Sequence, residues 1–274
     1  MKISIIGAGA MGGAVARGLL YKARENYHAG SESIFPQDIT ISNPHTDKLE
    51  FFKSAGINVT TDNKTAAKEG DIVILAVQPW VLEHVAKEIK PFIDYSRQKV
   101  VSIVAGVKSD NIIEWFRKES EENELPQLFI SIPNIAIAVA RSMTFVVPVT
   151  ISEYDNSTKE VIEFFNTLGK TDIVEERQLS AATALASCGI AYAMRYIRAA
   201  SEGGVELGFE ATDAKQIVMQ TVQGAVNLLL AEGNHPEVEI DKVTSPGGIT
   251  IRGLNEMEHA GFSSAVIRGL KAGR

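Results

Sequence analysis

Six residues near the start, Gly7-Ala8-Gly9-Ala10-Met11-Gly12, have the spacing G-x-G-x-x-G directly after the apolar run Ile3 to Ile6 and ahead of an alanine-rich amphipathic stretch. In that context the pattern predicts the phosphate-binding turn of a nicotinamide dinucleotide domain. Gly7 is expected to permit the tight turn and Gly9 to let a pyrophosphate approach the backbone. Gly12 is expected to let helix and strand close on each other, with the helix N-terminus facing the phosphates. The next strand ends Ser42-Asn43-Pro44-His45, with no Asp or Glu where an NAD-selective site places one on the ribose. Ser42 and Asn43 are expected to hydrogen-bond a 2'-phosphate, with His45 adding partial positive charge. That favours NADPH and leaves NADH open, and Asn-Pro reads equally as a helix-initiating turn.

Two further loops, Ala76-Val77-Gln78-Pro79 and Ala105-Gly106-Val107, follow apolar strand-like runs. Each alone reads as a strand-to-helix connection, but together they fall on the carboxyl edge of one sheet and are expected to border the cofactor. Far from these, Thr244-Ser245-Pro246-Gly247-Gly248-Ile249-Thr250 combines a capping serine, a proline suited to a first helical turn and two glycines with bare N–H groups. It reads as an anion nest for a carboxylate, with the Thr250 hydroxyl beside the anion, or simply as a glycine-rich helix entry.

The elements that must position these residues alternate. Strand-type runs at Ile3–Ile6, Ile39–Ser42, Ile72–Ala76, Val100–Val104, Leu128–Ile132, Phe145–Val149 and Thr171–Val174 are separated by helical stretches at 11–21, 46–54, 81–89, 109–117 and 153–168. This predicts an α/β fold: an N-terminal Rossmann-type, doubly wound, mostly parallel sheet with helices on both faces. From Glu175 onward the texture is alanine-rich helix, at 177–186, 190–207, 211–232 and a final helix from about Ile251. The expected domains are therefore 1–175, binding NAD(P), and 176–274, an all-α part packing closely against a second copy as a homodimer or a higher assembly of dimers. The connection Arg24 to Asp38 carries no readable chemistry.

These pieces resemble the pyrroline-5-carboxylate reductases over nearly the whole chain. The resemblance is carried by Ile5 to Gly12, Ala76 to Pro79, Ser102 to Val107, Ile132-Pro133-Asn134, Gly189-Ile190-Ala191-Tyr192 and Val243 to Thr250, in the family's order. It implies a reductase that passes hydride from NAD(P)H to the C=N carbon of a cyclic imino acid, 1-pyrroline-5-carboxylate, at the last step of proline biosynthesis. It further implies that Ser245, Gly247, Gly248 and Ile249 hold the carboxylate, that Thr250 meets the ring nitrogen, that Asn63 lies at the cofactor and that Glu176 lies near the substrate. The sequence departs from the family at Ser187-Cys188-Gly189-Ile190, at Ile135-Ala136 and at Gln78, so a different cyclic imino acid stays open. A β-hydroxyacid dehydrogenase would need a lysine on a helix after the boundary, and none lies between Lys170 and Lys215. A non-catalytic NADP(H)-binding protein is the remaining alternative.

A formal net charge of -7 over 274 residues gives no reason to expect nucleic acid or an anionic membrane surface as partner. The single cysteine, Cys188, suits a reducing cytoplasm and reads as a small hydrophobe. No secretory signal is expected, and the apolar stretch 128–150 is broken by Pro133, Asn134, Arg141 and Pro148, predicting two strands around a loop. The five histidines, His28, His45, His84, His235 and His259, lack ligand spacing and read as surface residues, so no metal is expected. Glu119, Glu121, Glu122 and Glu124 read as a solvated run, and Trp80 and Trp115 as packing residues.

Overall fold

Runs such as Ile3–Ile6 and Ile72–Leu75 are buried at every position, which requires cover on both faces of the sheet. The computed structural model describes residues 1–29 (backbone alone from 26), 34–118 and 124–274. Two compact units emerge, Met1–Ala182 and Thr183–Arg274. The first runs β1 (Ile3–Ile6), α1 (Ala10–Ala29), β2 (Ile39–Ser42), α2 (Glu50–Ser54), β3 (Asn58–Thr60), α3 (Asn63–Glu69), β4 (Ile72–Leu75), α4 (Pro79–Ile89), β5 (Lys99–Ser102), α5 (Ser109–Phe116), β6 (Gln127–Ile132), β7 (Ser142–Pro148), α6 (Asn156–Asn166), β8 (Gly169–Ile173) and α7 (Leu179–Ala182).

The strands form one sheet in the order β3-β2-β1-β4-β5-β6-β7-β8. Every pairing is parallel except β6 with β7. Alternate strand residues feed two cores. Ile3, Ile5, Ile72 and Ile74 pack with Val15 and Leu19 of α1 and Phe164 and Phe165 of α6. Ile6, Val73 and Leu75 pack with Leu82, Val85 and Ile89 of α4 and Ile112 and Phe116 of α5. Burying each such side chain contributes about 1.5–3 kcal/mol, so the sheet's carboxyl edge is held rigidly.

β3 and α3 carry no strong sequence signal. β3 is short and only half-buried, and α3 buries little beyond Ala66 and Ala67. The readable cue for α3 is its cap: Asp62 accepts from Lys64 N at 3.1 Å and from Thr65 Oγ1 at 2.7 Å. Trp80 corrects the expectation of packing, being 79% exposed. The buried face of α4 is Leu82, Val85, Ala86 and Ile89, and a residue two positions before Leu82 points away from it. Trp115 does pack against the second core. Residues 30–33, the side chain of His28, and Glu119, Glu121 and Glu122 lie outside the described residues.

The second unit begins with a π-helical stretch, Thr183–Cys188, and continues with α8 (Gly189–Glu206), α9 (Ala211–Glu232), α10 (Pro236–Lys242), α11 (Ile249–His259) and α12 (Phe262–Ala272). α8 and α9 pack closely enough that a Cβ at Gly204 would fall 2.9 Å from the Ala214 Cβ. The single final helix expected from Ile251 is two helices, divided at the left-handed Gly261. α10 starts at Pro236 behind a His235 cap, a pairing that favours a first helical turn. Leu207, Leu230 and Val238 stand exposed on this unit. Among the described residues no helix is long and apolar enough to cross a membrane.

Candidate active site

The turn after β1 is built by close backbone packing. Gly7 has φ +110, donates its N–H to Ser42 O at 2.9 Å, and a Cβ there would fall 2.6 Å from Ala76 O. A Cβ at Gly12 would fall 1.9 Å from Gly7 O. Only Gly9 faces open space, with nothing within 4 Å of an added Cβ. The three glycines therefore separate as expected: one turns, one packs, and one leaves room for a ligand at the start of α1. No acidic residue occupies the first turn of that helix, so its N-terminal field is not cancelled locally.

Gly7 and Gly9 form one end of a cavity of about 500 Å³ that opens between the end of β2 and α4. A group with a pyrophosphate and a flanking nucleoside fits this cradle, since the open side of Gly9 admits the phosphates and the cavity continues from it. Ser42, Asn43, Asn63, Ala76, Val77 and Gln78 line it. Ala8 is buried in the loop, Ala10 opens α1, Met11 packs against the first core, and Pro79 is the first residue of α4. Ala105 and Gly106 follow β5 on the same sheet edge, exposed and outside the cavity lining.

Ser42 and Asn43 are used differently from the expectation. Ser42 is fully buried and its hydroxyl donates to Asn63 Oδ1 at 2.8 Å. Asn43 is nearly as buried, and its Oδ1 accepts from His45 N at 2.9 Å, closing a short turn. The Asn43 side chain shapes the end of β2 and the Ser42 side chain holds Asn63, while His45 and Lys48 also line the cavity. Lys48, His84 and Glu88 belong to this lining without a motif to announce them. The available signal was periodic: Val81, His84, Val85 and Glu88 share one face of a helix.

Glu176 is also engaged. One carboxylate oxygen accepts from Ser109 N at 2.9 Å and the other from the Ser109 hydroxyl. A carboxylate at the first residue of α5 satisfies a helix-start N–H and complements the local dipole. Its oxygens therefore anchor the start of α5.

In the second unit, Ser245-Pro246-Gly247-Gly248 is a type II turn rather than the helix cap expected of Ser245. Gly248 N donates to Ser245 O at 2.9 Å, and Gly247 has φ +70. Pro246 presets the second position of the turn and Gly247 accepts the left-handed third. Gly248 becomes the N-cap of α11, with no side-chain cap and no acidic residue in the first turn. The leading N–H groups at Ile249 and Thr250 consequently lack intrahelical partners. Ser245, Ile249 and Thr250 are exposed. The glycine-entered starts of α1 and α11 thus both lack a first-turn acid that would cancel the N-terminal field.

The two units also divide the likeness to known proteins. A family model described as pyrroline-5-carboxylate reductase dimerisation matches residues 176–274, and one described as NADP oxidoreductase, coenzyme F420-dependent, matches residues 2–106. Pyrroline-5-carboxylate reductase 1 of Dictyostelium discoideum is 37% identical over 278 residues, covering 98% of this chain and 48% of that protein, so the chain spans about half its length. Pyrroline-5-carboxylate reductase 2 of the same organism is 34% identical, covering 98% of this chain and 89% of that one. The crystal structure of Plasmodium falciparum pyrroline carboxylate reductase with NADP bound superposes with a TM-score of 0.80 at 26% identity, covering 100% of this chain and 95% of that one.

Proposed function

The chain belongs to the pyrroline-5-carboxylate reductase family, and from that premise we propose that it reduces 1-pyrroline-5-carboxylate to L-proline with NADPH. In this reading residues 1–175 bind the dinucleotide, and residues 176–274 dimerise and hold the imino acid. The exposed Leu207, Leu230 and Val238 are surfaces for a homodimer to cover. The lone thiol Cys188 suits the reducing cytoplasm.

The single observation that carries the substrate assignment is the Ser245–Gly248 turn, which delivers the uncapped start of α11 with Thr250 inside its first turn. NADPH, when bound, supplies hydride to the C=N carbon. Gly7 and Gly12 keep the first loop closed on the sheet, so the backbone beside Gly9 holds the pyrophosphate. Lys48 offers positive charge and His45 a ring N–H to the 2'-phosphate, and Asn63, braced by Ser42, contributes its amide. Ala76 to Pro79 and Ala105 to Gly106 border the nicotinamide half along the strand ends. The turn and the N–H groups of Ile249 and Thr250 clamp the imino acid's carboxylate, and the Thr250 hydroxyl hydrogen-bonds the ring nitrogen. A protonated imine is already electrophilic, so the residues contribute alignment more than proton transfer.

The test is the fall in NADPH absorbance when the purified protein meets 1-pyrroline-5-carboxylate, run beside NADH and beside pyrroline-2-carboxylate. Saturable oxidation with the 5-carboxylate supports the proposal, and turnover of the 2-carboxylate alone would replace the substrate. Thr250→Ala is expected to lower turnover about tenfold or more while leaving NADPH affinity unchanged. Undiminished turnover in that variant would remove Thr250 from the reaction.

A further inference from the structure

Among the described residues Glu88 is the one carboxylate lining the dinucleotide cavity, and no part of the reaction above uses it. It lies on the cavity-facing stripe of α4 with Val81, His84 and Val85. Its Oε2 accepts from Asn63 Nδ2 at 2.9 Å, and Asn63 Oδ1 in turn accepts from the buried Ser42 hydroxyl at 2.8 Å. This chain of bonds fixes where the carboxylate points. Asn63 opens α3, which follows β3, and β3 borders β2 on the side away from β1. Glu88 is therefore held toward the β2 side of the cavity.

That side determines which half of the cofactor it meets. A dinucleotide with its pyrophosphate on Gly7 and Gly9 directs its adenosine half toward the end of β2 and its nicotinamide half toward β4 and β5. The cavity walls also include Pro44, Val81 and Val85, apolar surfaces suited to a flat base. Among the described residues only Asn63 bonds the Glu88 carboxylate, which leaves Oε1 with its acceptor capacity unused. An ionised carboxylate accepts hydrogen bonds and cannot donate them. Adenine presents a 6-amino donor, whereas hypoxanthine and guanine present an acceptor oxygen at the same position.

We propose that Glu88 is a specificity-determining residue that reads the adenine ring by accepting from its 6-amino group, with Asn63 and Ser42 holding its carboxylate in place. The proposal rests on NADPH being the cofactor. A purine with an oxygen at position 6 sets an acceptor against the carboxylate where adenine sets a donor, which penalises binding about tenfold or more.

The experiment is calorimetric titration of NADPH and of its hypoxanthine analogue, in which the 6-amino group is replaced by a carbonyl, into the unmodified protein and into Glu88→Gln. The unmodified protein is expected to bind the adenine form at least about tenfold tighter. The glutamine amide accepts from Asn63 and donates to a 6-oxygen, so in Glu88→Gln the preference for the adenine form should fall below about threefold or reverse. Glu88→Ala, which has no acceptor, serves where the glutamine variant does not fold and is expected to lose the same preference. Equal affinities in the unmodified protein, or a tenfold preference surviving in either variant, would overturn the assignment. Failure of the unmodified protein to bind either nucleotide would instead overturn the NADPH reading, and this proposal with it.

Discussion

The loops Gly7–Gly12 and Ser245–Gly248 both lead a chain rich in glycine into a helix start, yet glycine serves a different purpose in each. In the first, a Cβ at Gly12 would lie 1.9 Å from a carbonyl oxygen and one at Gly7 2.6 Å from another. The loop sits among fully buried strands, so its glycines are demanded by tertiary packing as much as by ligand. In the second, an added Cβ at Gly247 meets nothing within 4 Å, and the requirement is conformational, a φ of +70. One loop is held by the whole sheet and the other by four residues of turn chemistry. Substitutions should therefore damage folding most at the first and ligand binding most at the second, with Gly9 as the informative exception.

The largest effect is expected at Gly12. Gly12→Ala should cost about 3 kcal/mol, because neither Gly7 nor the start of α1 can retreat from the buried sheet. Urea unfolding would show it as a fall in midpoint, and a near-normal midpoint would break the comparison at its strongest point. Gly9→Ala should leave that midpoint in place while raising the NADPH dissociation constant about tenfold, since its methyl group enters the space through which the phosphates approach. Paired titration and unfolding of this variant sharpen the contrast, and a loss of stability matching Gly12→Ala would erase it. The smallest effect belongs to Gly247→Ala, where the left-handed backbone costs roughly 1 kcal/mol locally. Steady-state kinetics should show the KM for the imino acid rising severalfold with NADPH affinity unchanged.

Legibility in the sequence followed how much of a feature is local. The strands β1, β2, β4, β5, β6 and β7 announce themselves because burial on both faces demands unbroken apolar runs. The edge strand β3 is half-exposed and α3 is mostly polar, so neither leaves such a trace. Asn63, at the start of α3, was placed by family likeness alone for that reason. The glycine spacing at residues 7 to 12 was readable because each position has a distinct steric role. The residue type of Ser42 suits a phosphate, whereas its position at the end of a central strand turns the hydroxyl inward to Asn63. Ser245 was misread as a cap because Ser-Pro suits a helix start and a type II turn equally well.

What the sequence determined by itself is the set of properties carried by neighbouring residues: the apolar strands, the G-x-G-x-x-G turn, a glycine-rich helix entry before α11 and the change to helical texture beyond Glu175. Each depends on spacing within a few residues, where sterics and hydrogen bonding act directly along the chain. What only the tertiary structure decided is which polar groups remain available to a ligand. Ser42, Asn63 and Glu88 are joined into one hydrogen-bonded line, Glu176 is committed to Ser109, and His45 and Lys48 are left at the cavity. A buried polar group must find a partner wherever the fold offers one, and those partners come from elements distant in sequence.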